Sequence, residues 1–332
     1  MSMKRKLMIA GVLAAIVLGL GWLQTIIDVA PPAPVEVVIP RGASSPHIAG
    51  MLEEKGVIRS AVMFRLLARL TGKASALQSG YYYFDRPADM WRVLERIHKG
   101  DVRQFQITVP EGLRTDEVLA LLARQTGIPL SDWQKHLRAL LAAEEPEGRL
   151  LPETYSYEKP LVPRRLLAQM IHAQDALLEE IMAGAEDADA ARLRTVASIV
   201  EKETSLDAER PLVAAVIYNR LRRGMPLQMD PTVIYGLWRT DGSFSGNLRK
   251  VDLKRDTPWN TYVRRGLPPT PICNPGVASL RAAMHPAAVD YLYFVADGSG
   301  GHAFASTHAE HKANVRRWVR IERERGNHAG GQ

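Results

Sequence analysis

The hydrophobic pattern opens with an unbroken apolar run at residues 7–23, preceded by Lys4, Arg5 and Lys6. Extended to Ile27, a helix here would be about 30 Å long, enough to cross the hydrocarbon core of a bilayer. The basic cluster before the run predicts a single-pass inner-membrane protein with a cytoplasmic N-terminus and a periplasmic catalytic part. A cleaved signal peptide is the alternative, but the run is long and lacks a small-residue cleavage site. Residues 1–30 are therefore assigned to a cytoplasmic N-terminus and a transmembrane helix.

Residues 31–105 carry the pattern of a small α+β unit. Val35, Val37 and Ile39 share one face of a predicted strand, with Glu36 on the other face. Two amphipathic helical segments follow, each ended by a glycine. An aromatic run at 81–84 predicts a second strand. The order β-α-α-β resembles a LysM-like glycan-binding module. The aromatic run either stacks on sugar rings or forms a half-buried strand, of which the second is more frequent.

Beyond residue 105 the pattern changes twice. Residues 106–185 are mostly helical, and from residue 186 the chain becomes richer in Asn, Thr, Pro and His, with short motifs packed closely together. We predict a helical middle segment over 106–185, a mixed α+β catalytic domain over 186–325 and a disordered tail over 326–332. The predicted fold class is α+β, with an N-terminal transmembrane helix and a small LysM-like module before the catalytic domain.

One carboxyl group lies on the apolar face of a predicted helix. At about 100° per residue, Val196, Ile199 and Val200 share a face, and Glu203 continues it at spacings of seven, four and three. Apolar surroundings raise the pKa of a carboxyl group, which can then hold a proton near neutrality and protonate the leaving oxygen of a glycosidic bond. The alternative is that Glu203 only marks the helix end, solvated or paired with an arginine.

Most glycosidases need a second carboxylate. Asp207 and Asp230 are the candidates, but Asp207 has the surroundings of a solvated turn residue. Asp230 precedes Pro231 and Thr232, a pattern typical of a helix N-cap. Neither is a convincing nucleophile, so a mechanism with a single carboxylate is favoured.

Composition narrows the remaining chemistry. The chain has 332 residues and a net charge of +7. Because Cys273 is its single cysteine, it has no internal disulfide or cysteine-based metal cluster. Its basic residues are scattered, which argues against nucleic acid as a partner. No glycine-rich phosphate-binding loop is present, and we expect no cofactor. His302, His308 and His311 with Glu310 do not have the spacing of a known metal motif, so we expect no metal.

Between residues 195 and 315 the chain carries a series of short motifs in a fixed order, such as Glu-Lys-Glu-Thr at 201–204 and Asp-Pro-Thr at 230–232. They occupy positions 197–204, 219–221, 227–228, 230–236, 260–262, 266–269, 274–276, 279–280, Ala283, 285–286, 291–295, 301–302 and Phe304. Together these motifs resemble the endolytic murein transglycosylase (YceG-like) family, and a segment at 148–155 extends the likeness.

The resemblance implies an enzyme that cuts the β-1,4 bond between N-acetylmuramic acid and N-acetylglucosamine and leaves a 1,6-anhydro-muramic end. It implies Glu203 as the acid and base, and it makes Gln228, Asn260, Thr261 and Tyr262 candidates for binding the glycan. Glu201 and Asp230 are further candidates. The implied partners are peptidoglycan strands, a membrane, penicillin-binding synthases and elongation or division proteins. Two alternatives stay open: a hydrolytic muramidase, and a non-catalytic glycan-binding scaffold for cell-wall synthases.

Overall fold

A computed structural model of the chain describes residues 3–27, 29, 34–142, 144–185, 187–244 and 246–329. Its internal contacts divide it into two compact units. Unit 1 comprises Met1–Gln106 with Ser156–Leu161, and unit 2 comprises Ile107–Tyr155 with Val162–Gln332. Unit 2 thus spans the boundary that the sequence analysis placed at residue 186, while Ser156–Leu161 of the first segment belong to unit 1. The fold is mixed α+β, as predicted.

Unit 1 is built on a two-stranded antiparallel sheet. Val37 lies opposite Tyr82 across the strand pair, and both are buried with Leu52, Phe64 and Leu94. The Tyr82 hydroxyl donates to the carbonyls at 78 and 97, so this member of the aromatic run is a core residue. The elements of unit 1 are α1 (Met3–Ile26), β1 (Val35–Ile39), α2 (Ser45–Glu54), α3 (Ala61–Leu70), β2 (Gly80–Phe84) and α4 (Met90–Lys99).

Helix α1 corrects the first prediction from the sequence. Among the residues that the structure describes, no helix combines the length and the apolar character needed to cross a bilayer. Helix α1 takes Lys4, Arg5 and Lys6 into its first turns and ends just after Gln24 and Thr25. Its unbroken apolar stretch is therefore residues 7–23, about 26 Å, against the roughly 30 Å of a hydrocarbon core. The predicted transmembrane helix, and the single-pass inner-membrane location inferred from it, are wrong.

Unit 2 is mainly helical. Its elements are α5 (Thr115–Thr126), α6 (Leu130–Leu141), α7 (Pro163–Met182), α8 (Ala190–Glu203), α9 (Arg210–Arg222), α10 (Asp230–Asp241), a 3-10 helix (Asp252–Lys254), α11 (Val277–Met284), β5 (Tyr293–Ala296), β6 (His302–Ala305) and α12 (His308–Ala329). Strand β5 pairs antiparallel with β6. The chain also forms a strand pair between β3 (Gln104–Thr108) and β4 (Thr154–Glu158). Helix α12 continues to Ala329, into the segment predicted as a disordered tail, while residues 330–332 lie outside the described residues.

The core of unit 2 fixes helix α8. Its apolar face packs against α9 and α11, and Val196, Ile199 and Val200 are fully buried there. Ser198, also fully buried, donates its hydroxyl to the Thr195 carbonyl at 2.8 Å and accepts from the Ile272 amide at 3.0 Å. The C-terminal half of α8 is therefore held by apolar packing and by a hydrogen bond to a distant loop.

Candidate active site

Glu203 is the last residue of α8, on the helix face predicted from the sequence. The helix stops there because the next residue, Thr204, adopts an extended backbone (φ −145°, ψ 141°). The Glu203 side chain thereby leaves the buried face at the edge of the core and is itself only partly exposed. The C-terminal end of a helix is the negative end of its dipole, so it disfavours a second negative charge.

The electrostatics of Glu203 favour its neutral form. Burial raises the pKa of its carboxyl group to about 8, the negative charge of Asp230 acts in the same direction, and the positive charge of Arg220 opposes both. Among the described residues, no hydrogen-bond donor contacts the Glu203 carboxyl group. A carboxyl group that is protonated at neutral pH and has no partner is able to give its proton to a ligand.

A polar cavity of about 170 Å³ opens beside this carboxyl group, and we call it the Glu203 cleft. Its walls come from the end of α8, helix α9, the loop before α10, the loop after the 3-10 helix and strand β5. It is lined by Glu203, Arg220, Gln228, Met229, Asp230, Tyr262 and Phe294. Four of the predicted site residues thus lie together, namely Glu203, Gln228, Asp230 and Tyr262.

Gln228 is held in a strained backbone conformation. Its φ is +52°, which a residue other than glycine seldom adopts. Thr261 fixes this turn, since its carbonyl accepts from the Gln228 amide at 3.1 Å and its hydroxyl accepts from the Met229 amide at 3.0 Å. Such strain costs of order 1 kcal/mol and persists where the surroundings over-determine it, which is frequent at functional sites. The Gln228 side chain is exposed and lines the cleft.

Asp230 is the first residue of α10, and the N-cap position belongs to Met229. The interpretation of Asp230 as the cap is therefore wrong by one position. Its carboxylate instead accepts a hydrogen bond from the Tyr262 hydroxyl at 2.6 Å. Burial raises the pKa of Tyr262, and the bond to Asp230 raises it further, so the phenol keeps its proton and donates.

Asn260 and Thr261 build the loop rather than line the cleft. Asn260 is fully buried and donates to the carbonyls of Leu253 and Arg255 at 3.1 and 2.7 Å, while its side-chain oxygen accepts from the Tyr262 amide. Thr261 is likewise buried, and its bonds go to the turn around Gln228. Both residues act on the cleft through the two residues that they position.

Glu201, a further candidate from the sequence, does not line the cleft. It accepts from the Gly276 amide at 3.0 Å and lies 3.9 Å from the guanidinium of Arg210. Arg210 is buried and also lies 3.9 Å from Glu111. Glu201 therefore belongs to an ion network on the other side of the helix end.

Arg220 is a cleft residue that the sequence analysis named only within a motif. Its buried guanidinium donates to the Leu292 carbonyl at 2.6 Å, the Leu227 carbonyl at 2.6 Å and the Pro226 carbonyl at 3.4 Å. It thus ties the loop before Gln228 to the segment that leads into β5. The signal that indicated Glu203 is present here too, because a charged residue stands three and four positions after buried apolar residues of α9. Met229 and Phe294 were also missed.

Glu209 holds the end of α8 through Thr204, the residue that follows Glu203. Its carboxylate accepts from the Thr204 hydroxyl at 2.9 Å and from the His302 amide at 2.6 Å, and it lies 2.7 Å from His302 Nδ1. Burial would raise the pKa of Glu209, but these hydrogen bonds outweigh it and the pKa is lowered. The ring of His302 meets Phe294 edge to face at 5.3 Å. Glu209 therefore connects the residue after Glu203 to one wall of the cleft.

The remaining histidines do not join the cleft. His308 and His311 lie against the ring of Tyr293, at 5.8 and 5.1 Å between ring centres. In the part of the chain that the structure describes, no group of three or more His, Cys, Asp or Glu side chains could hold a metal ion. Cys273 is buried, and burial raises the pKa of its thiol well above the usual range.

Comparisons with known proteins agree with the motif analysis. The model of the YceG-like family matches residues 37–317. An endolytic murein transglycosylase of Bacillus subtilis is 32% identical over 317 residues, covering 88% of this chain and 86% of the relative. One from Streptococcus pneumoniae is 28% identical over 85% of this chain, which spans 58% of that longer relative.

A solved structure supports the same assignment. The crystal structure of a YceG-like protein from Listeria monocytogenes matches with a TM-score of 0.55 and 29% identity, covering 84% of this chain and 98% of that one. The resemblance predicted from the sequence is therefore confirmed, and the chain belongs to the YceG-like family.

Proposed function

We propose that this chain is an endolytic murein transglycosylase, which cuts the β-1,4 bond between N-acetylmuramic acid and N-acetylglucosamine within peptidoglycan strands. The name of its relatives supports the reaction class. The observation that carries the proposal for this chain is the carboxyl group of Glu203. This group lines a polar cleft and has no hydrogen-bond partner among the described residues. With its pKa raised to about 8, it holds a proton at neutral pH.

In the proposed reaction Glu203 acts first as an acid and then as a base. Its proton passes to the glycosidic oxygen as the bond from the muramyl C1 breaks, so the leaving sugar departs with a hydroxyl group. The muramyl C6 hydroxyl then attacks C1, and its proton returns to the Glu203 carboxylate. A 1,6-anhydro ring closes, Glu203 is protonated again, and no water is consumed.

The other cleft residues suit the binding of a glycan. The amide of Gln228 and the hydroxyl of Tyr262 are groups that bond the N-acetyl and hydroxyl groups of sugars. Both line the cleft with Glu203. Asn260 and Thr261 contribute by fixing the backbone around these two residues, while Glu201 holds the Gly276 amide outside the cleft.

The test is a comparison of two neighbouring carboxyl variants. The full chain, Glu203→Gln and Glu201→Gln are each incubated with uncrosslinked glycan strands, and products are identified by mass spectrometry. We expect anhydro-muramic ends from the full chain and from Glu201→Gln, and none from Glu203→Gln. Loss of product in Glu201→Gln alone would contradict the choice of acid. Binding of strands without cleavage by any of the three would favour a scaffold.

Two finer proposals follow, the first from the element order of unit 1 and the second from the family resemblance. Unit 1, with the order β1-α2-α3-β2, is proposed to be a LysM-like module that binds glycan. Penicillin-binding synthases and elongation or division proteins are proposed as partners. The first proposal is tested by titrating the full chain with chitin oligosaccharides while the NMR chemical shifts of the unit 1 amides are recorded. Crosslinking in cells with identification of the captured synthases tests the second.

A further inference from the structure

We propose that Asp230 is the electrostatic partner of Glu203, holding a negative charge beside the sugar carbon where positive charge develops as the glycosidic bond breaks. This inference rests on the proposed function and deepens it. It gives the reaction a second carboxylate, with a role other than proton transfer.

The placement of Asp230 supports this role. It lines the Glu203 cleft at the start of α10, and the end of α8 brings the acid into the same cleft. The N-terminus of a helix is the positive end of its dipole, which stabilises a carboxylate in the first turn. The two helix ends thus act in opposite senses, since the end of α8 disfavours a negative charge on Glu203 while the start of α10 is a favourable place for an acidic side chain.

The contacts of Asp230 hold its charge without cancelling it. The Tyr262 hydroxyl fixes one carboxylate oxygen at 2.6 Å, a distance typical of a strong bond to an anion. No ion pair to Asp230 is found among the described residues. Arg220, the cation of the cleft, has its guanidinium committed to the carbonyls of Leu227 and Leu292. The second carboxylate oxygen is thus able to face a ligand.

The reaction gives such a charge a use. Glycosidic cleavage passes through an oxocarbenium-like state with positive charge on the ring. The attraction between a fixed anion and this charge is stronger in the transition state than in the ground state. Removing one preorganised electrostatic group from an active site typically costs about 10²-fold in kcat. The charge also acts on the acid, because Asp230 raises the pKa of Glu203 while Arg220 lowers it. Among the described residues that line the cleft, Tyr262 is the other titratable group beside both.

The experiment measures kcat and kcat/KM against pH for the full chain, Asp230→Asn, Asp230→Glu and Tyr262→Phe, with Asp256→Asn as the control. Asp256 is an exposed carboxylate that pairs with Arg264 outside the cleft, so its variant keeps the basal activity. We expect Asp230→Asn to lose about 10²-fold in kcat. The basic limb of the pH–kcat profile of this variant, where Glu203 loses its proton, should move to lower pH, because the negative charge that raised the pKa of Glu203 is gone.

The other two variants separate charge from structure. Asp230→Glu keeps the charge and hence the basic limb, whatever it loses in kcat. Tyr262→Phe removes the hydrogen bond to Asp230 and leaves the charge of Asp230 in place. The basic limb of the pH–kcat profile of Tyr262→Phe therefore stays where it is or moves to higher pH. A purely structural role would lower kcat in all three with no ordered movement of the limb, and this outcome overturns the inference.

Two further outcomes have distinct meanings. An Asp230→Asn enzyme with the kcat and limb of the full chain, or with only a higher KM, overturns the role of Asp230 while the function stands. Full activity in Glu203→Gln overturns the proposed acid itself, and this inference with it.

Discussion

The buried carboxyl group of Glu147 makes the stability of unit 2 depend on pH in a predictable direction. Glu147 is 5% exposed and accepts from the Thr115 amide at 2.8 Å, the Thr115 hydroxyl at 3.0 Å and the Tyr235 hydroxyl at 3.0 Å. Burial nevertheless dominates, and the pKa rises from 4.5 to about 7 although these bonds lower it. Between about pH 4.5 and pH 7, Glu147 therefore holds a proton in the folded chain that it has released in the unfolded chain.

The magnitude follows from the two pKa values. A folded-state pKa above the unfolded one means that the free energy of unfolding falls as pH rises from about 4.5 to about 7, and then stays lower. At 1.36 kcal/mol per pKa unit, the charged form of Glu147 costs about 3 kcal/mol above pH 7. Glu147→Gln removes this cost, since an amide is close in shape to the protonated acid and can keep the bonds to Thr115.

Urea denaturation followed by circular dichroism at pH 5 and pH 8 measures the effect. At pH 5 the variant and the natural chain should differ by less than about 1 kcal/mol, which is the internal control. At pH 8 the variant should be more stable by about 3 kcal/mol. The difference between the two chains isolates Glu147 from Glu203, whose raised pKa acts in the same direction in both. An equal difference at both pH values would refute the reasoning.

Three further variants test the cleft and its supports. Gln228→Gly should raise the free energy of unfolding by about 0.5–1 kcal/mol by relieving the left-handed backbone, yet lower activity by removing the amide; a less stable variant in thermal unfolding would contradict the strain. Glu209→Gln should lower kcat about tenfold at unchanged KM, since it weakens the bonds that fix Thr204 behind Glu203; a change in KM alone would contradict a positioning role. Arg220→Met should destabilise the fold by about 2–5 kcal/mol in urea, because it leaves the buried carbonyls of Leu227 and Leu292 without a donor; a neutral result would contradict the role of the guanidinium in holding these two segments.

The parts of the site that sequence could predict are those governed by local periodicity. Helix α8 and the position of Glu203 on its apolar face follow from a 3.6-residue pattern, which the packing of Val196, Ile199 and Val200 bears out. The strand of unit 1 at Val35–Ile39 follows in the same way from alternation.

The remainder depends on contacts between distant segments. Asp230 has the sequence of a cap, but its partner Tyr262 lies 32 residues away, and no local pattern reveals that bond. Asn260 and Thr261 are polar residues that face inward because loop carbonyls and amides there need partners. The transmembrane prediction was wrong because it counted apolar residues beyond Gln24 and Thr25 toward the span.

The central claim, that Glu203 drives ring closure without water, is tested most directly by digestion of glycan strands in ¹⁸O-labelled water. The account predicts muramic ends that carry no ¹⁸O and are lighter by one water than free reducing ends, from the full chain and not from Glu203→Gln. Reducing ends that carry ¹⁸O would contradict it, since they would make water the nucleophile and this chain a hydrolase.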